Sequence, residues 1–218
     1  MKYKLVVFDL DGTLVNSLTD LAIATNKGLE EAGLPQHSVD EYRYFVGNGR
    51  DMLVRRAMGE FSADDKRRDT VRRVFDSYYA EHCNDNTTAY DGCAEMLRTL
   101  SDSGVMTAVL SNKPDEFVLR ILNKLYPGHH FTAMWGKKHE FPPKPDGTSL
   151  KAMLESLNVS QRDCLYIGDS DVDVFTAQNG GVDMIGVEWG FRGREELINA
   201  GADAVVSEPS EITEYLGL

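Results

Sequence analysis

The segment KLVVFDLDGT, residues 4–13, joins an apolar run to two aspartates. Within residues 4–8 the apolar run after Lys4 is continuous rather than alternating, which is typical of a parallel strand buried on both faces. The run ends at Asp9, and Asp11 follows two positions later. The stretch therefore predicts a buried strand that carries two carboxylates at its carboxyl end.

Four further apolar runs follow along the chain, and helical patterns lie between them. The stronger runs are residues 105–110 and 164–167, and the weaker ones are 184–187 and 204–206. Apolar residues at helical spacing occupy 96–100, 117–125 and 150–157. Alternating strands and helices predict an α/β fold, a doubly wound parallel sheet with helices on both faces.

One segment breaks this alternation. Residues 16–89 contain helical patterns over 18–29, 52–58 and 71–79 and no convincing strand. We interpret this segment as an inserted helical domain. The expected organisation is therefore an α/β core domain over residues 1–15 and 90–218, with a helical cap domain over 16–89.

Composition narrows the classes of function and the location. The formal net charge of −12 argues against nucleic-acid binding, because affinity for a polyphosphate backbone requires clustered Lys and Arg. Three cysteines without Cys-x-x-Cys spacing indicate reduced thiols. No apolar stretch is long enough for a membrane span or a signal peptide, so the expected location is cytoplasmic, with neither membrane nor nucleic acid as a partner.

Polar residues follow three of the predicted strands. Asp9 and Asp11 follow the first, the Ser111-Asn112-Lys113 segment follows the second, and the run 169–173 follows the third. Ligands in open parallel sheets bind outside the carboxyl ends of the strands, so these groups are expected to converge. Carboxylate oxygens from two strand ends are the ligands that a hard divalent cation such as Mg²⁺ requires.

A purely structural role or another binding motif accounts for most of these residues less well than a metal site does. Asp9 and Asp11 would repel each other without a cation or a proton, so a purely structural role for both is weak. Asp171 fits a helix cap as well as a site residue. The run from Asp169 fails as a calcium loop because Val174 and Gly180 replace the required Gly and Glu. The chain also lacks a GxxxxGK[ST] phosphate loop.

Four ordered motifs resemble those of the haloacid dehalogenase superfamily. They are the DLDGTLVNS segment from Asp9, the LSNKP segment around Ser111, the Lys144-Pro145 pair, and the IGDSDVD segment that contains Asp169 and Asp173. Residues 187–193, 200–203 and 46–50 are similar to its phosphoglycolate phosphatase branch. The resemblance covers nearly the whole chain and implies a Rossmann-like core with an inserted cap.

The resemblance implies a Mg²⁺-dependent phosphatase that works through an aspartyl-phosphate. Asp9 would be the nucleophile, and Asp11 would be the general acid and base. Mg²⁺ would be held by Asp9, Asp169 and the backbone carbonyl of Asp11, with Asp173 orienting that shell from outside it. The acid at Asp11 favours phosphoester chemistry over halide removal, because a halide leaves without protonation.

The same resemblance implies a set of substrate-binding residues. Ser111 and Lys144 would hold the phosphoryl oxygens, with Asn112 and Thr13 beside them, although either of the last two also fits a turn or cap role. Arg50 in the insert could meet the carboxylate of 2-phosphoglycolate, and a solvated arginine at a helix start is an equal alternative.

The expected reaction is hydrolysis of a small phosphorylated metabolite, with 2-phosphoglycolate as the first candidate. A phosphosugar mutase and an inorganic pyrophosphatase of the same fold are the alternatives. The expected partners are this small metabolite and Mg²⁺, in a monomer or a homodimer.

Overall fold

The computed structural model describes residues 2–218. The chain divides into two compact units. The first unit comprises the segment up to Val15 together with Ala89–Leu218, and the second comprises Asn16–Thr88.

The first unit is built on a parallel sheet in which β1 lies at the centre. Over the part of the chain that the structure describes, the sheet has six strands in the order β5-β4-β1-β6-β7-β8. This architecture confirms the predicted α/β fold with a doubly wound parallel sheet. The strands are β1 (Leu5–Phe8), β4 (Met106–Pro114), β5 (Ala133–Lys137), β6 (Cys164–Gly168), β7 (Asp183–Val187) and β8 (Ala204–Val206).

Strand β1 is buried on both faces, as its continuous apolar sequence predicts. Val6 and Phe8 face one hydrophobic cluster, and Leu5 and Val7 face the other. All four side chains are fully buried. Such a strand has no solvent-facing side, which is why its sequence lacks the alternation of an antiparallel strand.

Helices cover both faces of the sheet. Residues of α4, α5 and α9 belong to the cluster that contains Phe8, and residues of α6, α7 and α8 belong to the cluster that contains Leu5. The helices are α4 (Cys93–Asp102), α5 (Asp115–Leu125), α6 (Thr148–Ser156), α7 (Asp171–Gly180), α8 (Arg194–Ala200) and α9 (Pro209–Leu216). Within residues 2–218, no helix combines the length and the apolar character needed to cross a bilayer.

Two strands differ from the sequence prediction. Strand β4 does not end before Ser111 but continues to Pro114, with an irregular register between Leu110 and Pro114. Strand β5 was not predicted at all. It pairs with β4 at the edge of the sheet and is largely half-buried, and its sequence, AMWGK, has three apolar residues but no β-branched one.

The second unit is helical. It contains α1 (Leu18–Glu31), α2 (Arg50–Met58) and α3 (Asp65–His82), together with 3₁₀ segments at Asp40–Tyr44 and Gly59–Ala63. Two short strands, β2 (Val15–Asn16) and β3 (Thr88–Ala89), form a separate two-stranded sheet where the chain passes from one unit to the other.

A buried carboxylate in α1 orders the end of the second unit. Asp20 is 3% exposed and accepts hydrogen bonds from the backbone N–H groups of Asn86 and Thr87. The Thr87 hydroxyl donates to the same carboxylate over 2.6 Å. A charged acceptor bound by several donors is among the stronger hydrogen-bonding arrangements, and here it ties the segment that leaves the unit to the helix that begins it.

Candidate active site

The predicted site residues of the core converge because of the strand order. Strand β1 lies between β4 and β6, so the carboxyl ends of these three strands are neighbours. Asp9 follows β1, Ser111 lies near the end of β4, and Asp169 follows β6. Their clustering is therefore a consequence of topology, as expected for an open parallel sheet.

Lys144 lies at the centre of this cluster. Its Nζ atom is 2.8 Å from Asp9 Oδ1, 2.7 Å from Asp173 Oδ1 and 3.0 Å from the hydroxyl of Tyr166. Among the described residues, Asp9 Oδ1 has no hydrogen-bond donor of suitable angle, so its contact with Lys144 is best described as an ion pair. An ammonium group has three N–H donors, and three acceptors surround this one.

The carboxylates in the site have perturbed acidities. Burial, together with the charges of Asp173 and Asp11, raises the pKa of Asp9 to about 7, against the opposing effect of Lys144. Burial and the charges of Asp173 and Asp9 also raise the pKa of Asp169 well above its usual value. Without a further positive charge, Asp9 and Asp169 therefore hold a proton more tightly than an exposed carboxyl group does.

The donor set fits a divalent cation. Oxygen atoms of Asp9, Asp169 and Asp173 lie within 4.8 Å of one another, and all three residues are buried. With Asp11, four carboxylates face the ammonium groups of Lys144 and Lys113, so two negative charges lack compensation by these lysines. A bound dication would supply that charge and lower the pKa of the ligating carboxyl groups.

Asp173 is the least available of these acceptors. Its Oδ2 accepts from the backbone N–H and the hydroxyl of Ser170, and its Oδ1 accepts from Lys144 and Tyr166. The side chain is fully buried and closes a capping box at the start of α7. With both oxygens occupied, Asp173 is suited to hold Lys144 and the helix start rather than to bind a metal directly.

Two glycines make room for Asp169. A Cβ atom on Gly12 would lie 2.2 Å from Asp169 Oδ2, and one on Gly190 would lie 2.3 Å from Asp169 Cβ. The backbone N–H of Phe191 donates to Asp169 Oδ2 over 2.7 Å. The carboxylate is therefore enclosed by two backbone segments that only glycine allows to approach so closely.

Asp11 is paired with a lysine to which the sequence analysis gave no role. Asp11 Oδ1 lies 2.8 Å from Lys113 Nζ, and Lys113 is only 7% exposed. Two buried lysines thus accompany the two aspartates of the first motif, Lys144 beside Asp9 and Lys113 beside Asp11. Each pair joins a residue of the β1 loop to a residue from another segment.

The predicted phosphoryl-binding residues have different partners. Ser111 is buried, and its hydroxyl accepts from the Lys113 backbone N–H. Asn112 uses its side-chain amide to bind both the N–H and the C=O of Lys144, at 2.8 and 3.0 Å. Thr13 is 1% exposed, and its hydroxyl has no hydrogen-bond partner among the described residues. Ser111 and Thr13 therefore offer hydroxyls in the core, whereas Asn112 anchors the backbone of Lys144.

Arg50 belongs to the second unit and is paired there. It begins α2 after Gly49, and its guanidinium contacts Asp76 at 2.6 Å and Asp51 at 3.1 Å. Asp51 is also 3.2 Å from Arg72 Nε. Arg50, which the sequence analysis considered as a ligand for a substrate carboxylate, is thus bound to two protein carboxylates. A substrate carboxylate would compete with them for the guanidinium group.

Two contributors to the site were not predicted: Tyr166 and the backbone of Phe191. Lys113 was expected to lie near the site, because it follows Ser111-Asn112 directly, but it was given no role there. Tyr166 carries a hydroxyl within an otherwise apolar strand, and a buried phenol generally needs a partner. The Phe191 N–H left no signal, since any residue other than proline has one.

Comparisons of sequence place the chain among known hydrolases. The sequence model of the family described as Haloacid dehalogenase-like hydrolase matches residues 6–187. A phosphoglycolate phosphatase of Vibrio parahaemolyticus is 32% identical over 99% of this chain and 96% of its own length. Another, from Pseudomonas putida, is 35% identical over 86% of this chain and 70% of its own length.

Solved structures agree with the sequence comparisons. A provisionally named phosphoglycolate phosphatase from Lactobacillus delbrueckii superimposes with a TM-score of 0.93 at 32% identity, covering 99% of both chains. A predicted phosphoglycolate phosphatase from Haemophilus somnus gives a TM-score of 0.91 at 28% identity, also over 99% of both chains.

Proposed function

The chain belongs to the haloacid dehalogenase-like hydrolases and is a phosphatase, and from that premise we propose that it hydrolyses a small phosphomonoester through a covalent phosphoryl group on Asp9. The observation that carries this proposal is the buried pair of Asp9 and Asp169 at adjacent strand ends, with Lys144 beside Asp9. It unites a nucleophilic carboxylate with the positive charge that an approaching phosphate dianion requires.

In the first half of the reaction, a carboxylate oxygen of Asp9 forms a bond to phosphorus while the bond to the substrate alkoxide breaks. Asp11 gives its proton to that alkoxide, so the leaving group departs as a neutral alcohol. Lys144 balances the charge of Asp9, and the hydroxyls of Ser111 and Thr13 are available to phosphoryl oxygens.

In the second half, water attacks phosphorus and Asp11 accepts its proton. The bond between phosphorus and Asp9 breaks, which releases inorganic phosphate and restores both carboxyl groups. The contact between Asp11 and Lys113 places an ammonium group 2.8 Å from the side chain that accepts this proton.

We also propose that Mg²⁺ is the resident metal. Asp9, Asp169 and the backbone carbonyl of Asp11 would hold it, and Asp173 would act from outside the coordination shell. When bound, the ion supplies positive charge that keeps the carboxylates ionised and reduces their repulsion of the phosphate.

The first candidate substrate is 2-phosphoglycolate. Several relatives carry the name phosphoglycolate phosphatase, including one that the chain matches over 96% of its length. The substrate combines a phosphate with a carboxylate, so a cation such as Arg50 could contribute to its selection.

The test is a panel of phosphorylated metabolites with Mg²⁺, scored by release of inorganic phosphate without any added bisphosphate. We expect turnover, with the highest kcat/KM for 2-phosphoglycolate. Asp9→Asn should reduce kcat by a factor of about 10³ or more, because the amide is not a nucleophile. Activity retained by folded Asp9→Asn would exclude the covalent mechanism, and a strict requirement for a bisphosphate would indicate a mutase.

A further inference from the structure

Tyr166 is a fully buried residue of β6 with its hydroxyl in the candidate site. It is paired in register with Val7 of β1, which in turn is paired with Ala108 of β4. The phenol reaches past β1, because its oxygen lies 3.5 Å from the carbonyl oxygen of Leu110 on β4. One side chain thus spans the three strands that carry the site.

The hydroxyl of Tyr166 makes two closer contacts. It accepts a hydrogen bond from Lys144 Nζ over 3.0 Å and lies 3.2 Å from Asp173 Oδ1, to which it donates. A hydroxyl has one proton and two lone pairs, so both roles are compatible. Burial raises the pKa of the phenol well above its ordinary value, so the donated proton is retained.

Lys144 is held at both ends by residues of this network. Asn112 binds its backbone N–H and C=O, while Asp9, Asp173 and Tyr166 surround its ammonium group. A lysine side chain has several rotatable bonds, so its ammonium occupies one place only where each donor has an acceptor. Of the three acceptors, Tyr166 is the one that bears no charge.

We infer that Tyr166 is a positioning residue, whose hydroxyl fixes the ammonium of Lys144 against Asp9. This inference rests on the proposed function. Removing the hydroxyl leaves one N–H of Lys144 without its acceptor and Asp173 Oδ1 without one of its donors. Lys144 can then turn away from Asp9, and the positive charge beside the nucleophile is no longer held in place.

The test compares Tyr166→Phe with the wild type and with Tyr3→Phe. Phenylalanine keeps the ring and removes only the hydroxyl. Tyr3 is also buried, and its hydroxyl donates a hydrogen bond to Asp183 at the amino end of β7, away from the candidate site. Tyr3→Phe therefore controls for the loss of a buried tyrosine hydroxyl. Kinetics are measured with p-nitrophenyl phosphate and with the substrate that the wild type prefers, well below the melting temperatures.

For Tyr166→Phe we expect kcat to fall about 10- to 100-fold, as for other losses of alignment near reacting atoms, with KM changed less than about twofold. Tyr3→Phe should keep the wild-type kcat. A crystal structure of Tyr166→Phe should show Lys144 Nζ farther from Asp9 Oδ1 than the 2.8 Å seen here.

The outcomes separate this inference from the proposed function. A wild-type protein that releases phosphate from no substrate overturns the proposed function and the inference that rests on it. If the wild type turns over and Tyr166→Phe keeps the same kcat, only the role of Tyr166 is overturned. An unchanged contact between Lys144 and Asp9 in the crystal structure of the variant also overturns it.

Discussion

Asp9 must be ionised to attack phosphorus, yet its burial favours the protonated form. In the protein without a divalent cation the pKa of Asp9 is raised to about 7, chiefly by burial. Lys144 offsets part of this effect but also serves Asp173. The ionised form of Asp9, which begins the reaction, is thus disfavoured by its surroundings, as is common for ionisable groups in functional sites.

This conflict predicts a pH-dependent stability in EDTA. The folded protein binds the Asp9 proton more tightly than the unfolded chain, whose pKa is near 3.8. The stability that this proton contributes is therefore complete below that value and is lost as the pH rises through about 7. Asp9→Asn has no such proton, so its melting temperature should exceed that of the wild type at pH 8 by more than at pH 4.5.

Asp146→Asn is the matched control. The pKa of Asp146 is lowered from 3.8, mainly by its hydrogen bonds with Thr148. Its contribution to stability is therefore complete above 3.8 and is lost only as the pH falls further, so the melting temperature of Asp146→Asn should differ from that of the wild type by the same amount at pH 4.5 and pH 8. The measurement is thermal melting of the wild type, Asp9→Asn and Asp146→Asn at pH 4.5 and pH 8. A melting-temperature difference between Asp9→Asn and the wild type that is equal at both pH values would contradict the raised pKa of Asp9.

Arg50 provides a test of substrate choice at a single residue. Arg50→Ala should raise KM for 2-phosphoglycolate several-fold more than KM for p-nitrophenyl phosphate, because only the first substrate has a carboxylate for the guanidinium fork. Arg72→Ala is the control, since Arg72 also contacts Asp51. Equal effects of Arg50→Ala on both substrates would assign Arg50 a structural role within the second unit.

At the scale of elements, the loop after β7 shapes the site through its backbone. It carries Gly190 and Phe191, which enclose Asp169 by close approach and by one N–H donor. Neither contact depends on an ionisable side chain. The loop therefore determines where the Asp169 carboxylate can lie without contributing a charge of its own.

Gly190→Ala tests this role of the loop. Its Cβ would lie 2.3 Å from Asp169 Cβ and 2.5 Å from the Gly12 carbonyl oxygen, so the loop or Asp169 must move. We expect kcat/KM to fall at least about tenfold and Mg²⁺ affinity to weaken, as for other residues that orient metal ligands.

Gly193→Ala is the control on the same loop. Gly193 has a φ of 79° and no neighbour within 4 Å of the added Cβ, so its replacement strains the backbone without touching Asp169. A Gly190→Ala variant whose kinetics and Mg²⁺ affinity match those of Gly193→Ala would show that the approach to Asp169 is unimportant.

For the whole molecule, a bound cation should stabilise the core fold, because only the folded chain brings Asp9 and Asp169 together. Mg²⁺ at about 100 times its dissociation constant should raise the melting temperature by roughly 5 °C or more, from mass action alone. EDTA should remove both this shift and the phosphatase activity. Asp169→Asn should lose the shift, and a shift that persists in that variant would place the cation elsewhere.

The accuracy of the sequence prediction varied with the burial of each element. Strand β1 was predicted closely because both of its faces are buried in hydrophobic clusters, and a strand buried on both faces has a continuous apolar sequence. Strand β5 was missed because it is largely half-buried and its sequence, AMWGK, has no β-branched residue, whereas β8 at the other edge has two valines. Strand β4 extended beyond its apolar run, because its pairing with β5 resumes at Pro114 after an irregular stretch that contains the polar residues Ser111 and Asn112.

The α/β alternation, the ordered motifs and the candidate residues at the strand ends were all readable from the sequence. They were readable because burial period and residue chemistry are local properties of the chain. The contacts among those groups came from the fold. It placed the ammonium of Lys144 against Asp9, Asp173 and Tyr166, and it paired Lys113 with Asp11. Such pairings depend on distances between residues far apart in the chain, which spacing along the sequence does not encode.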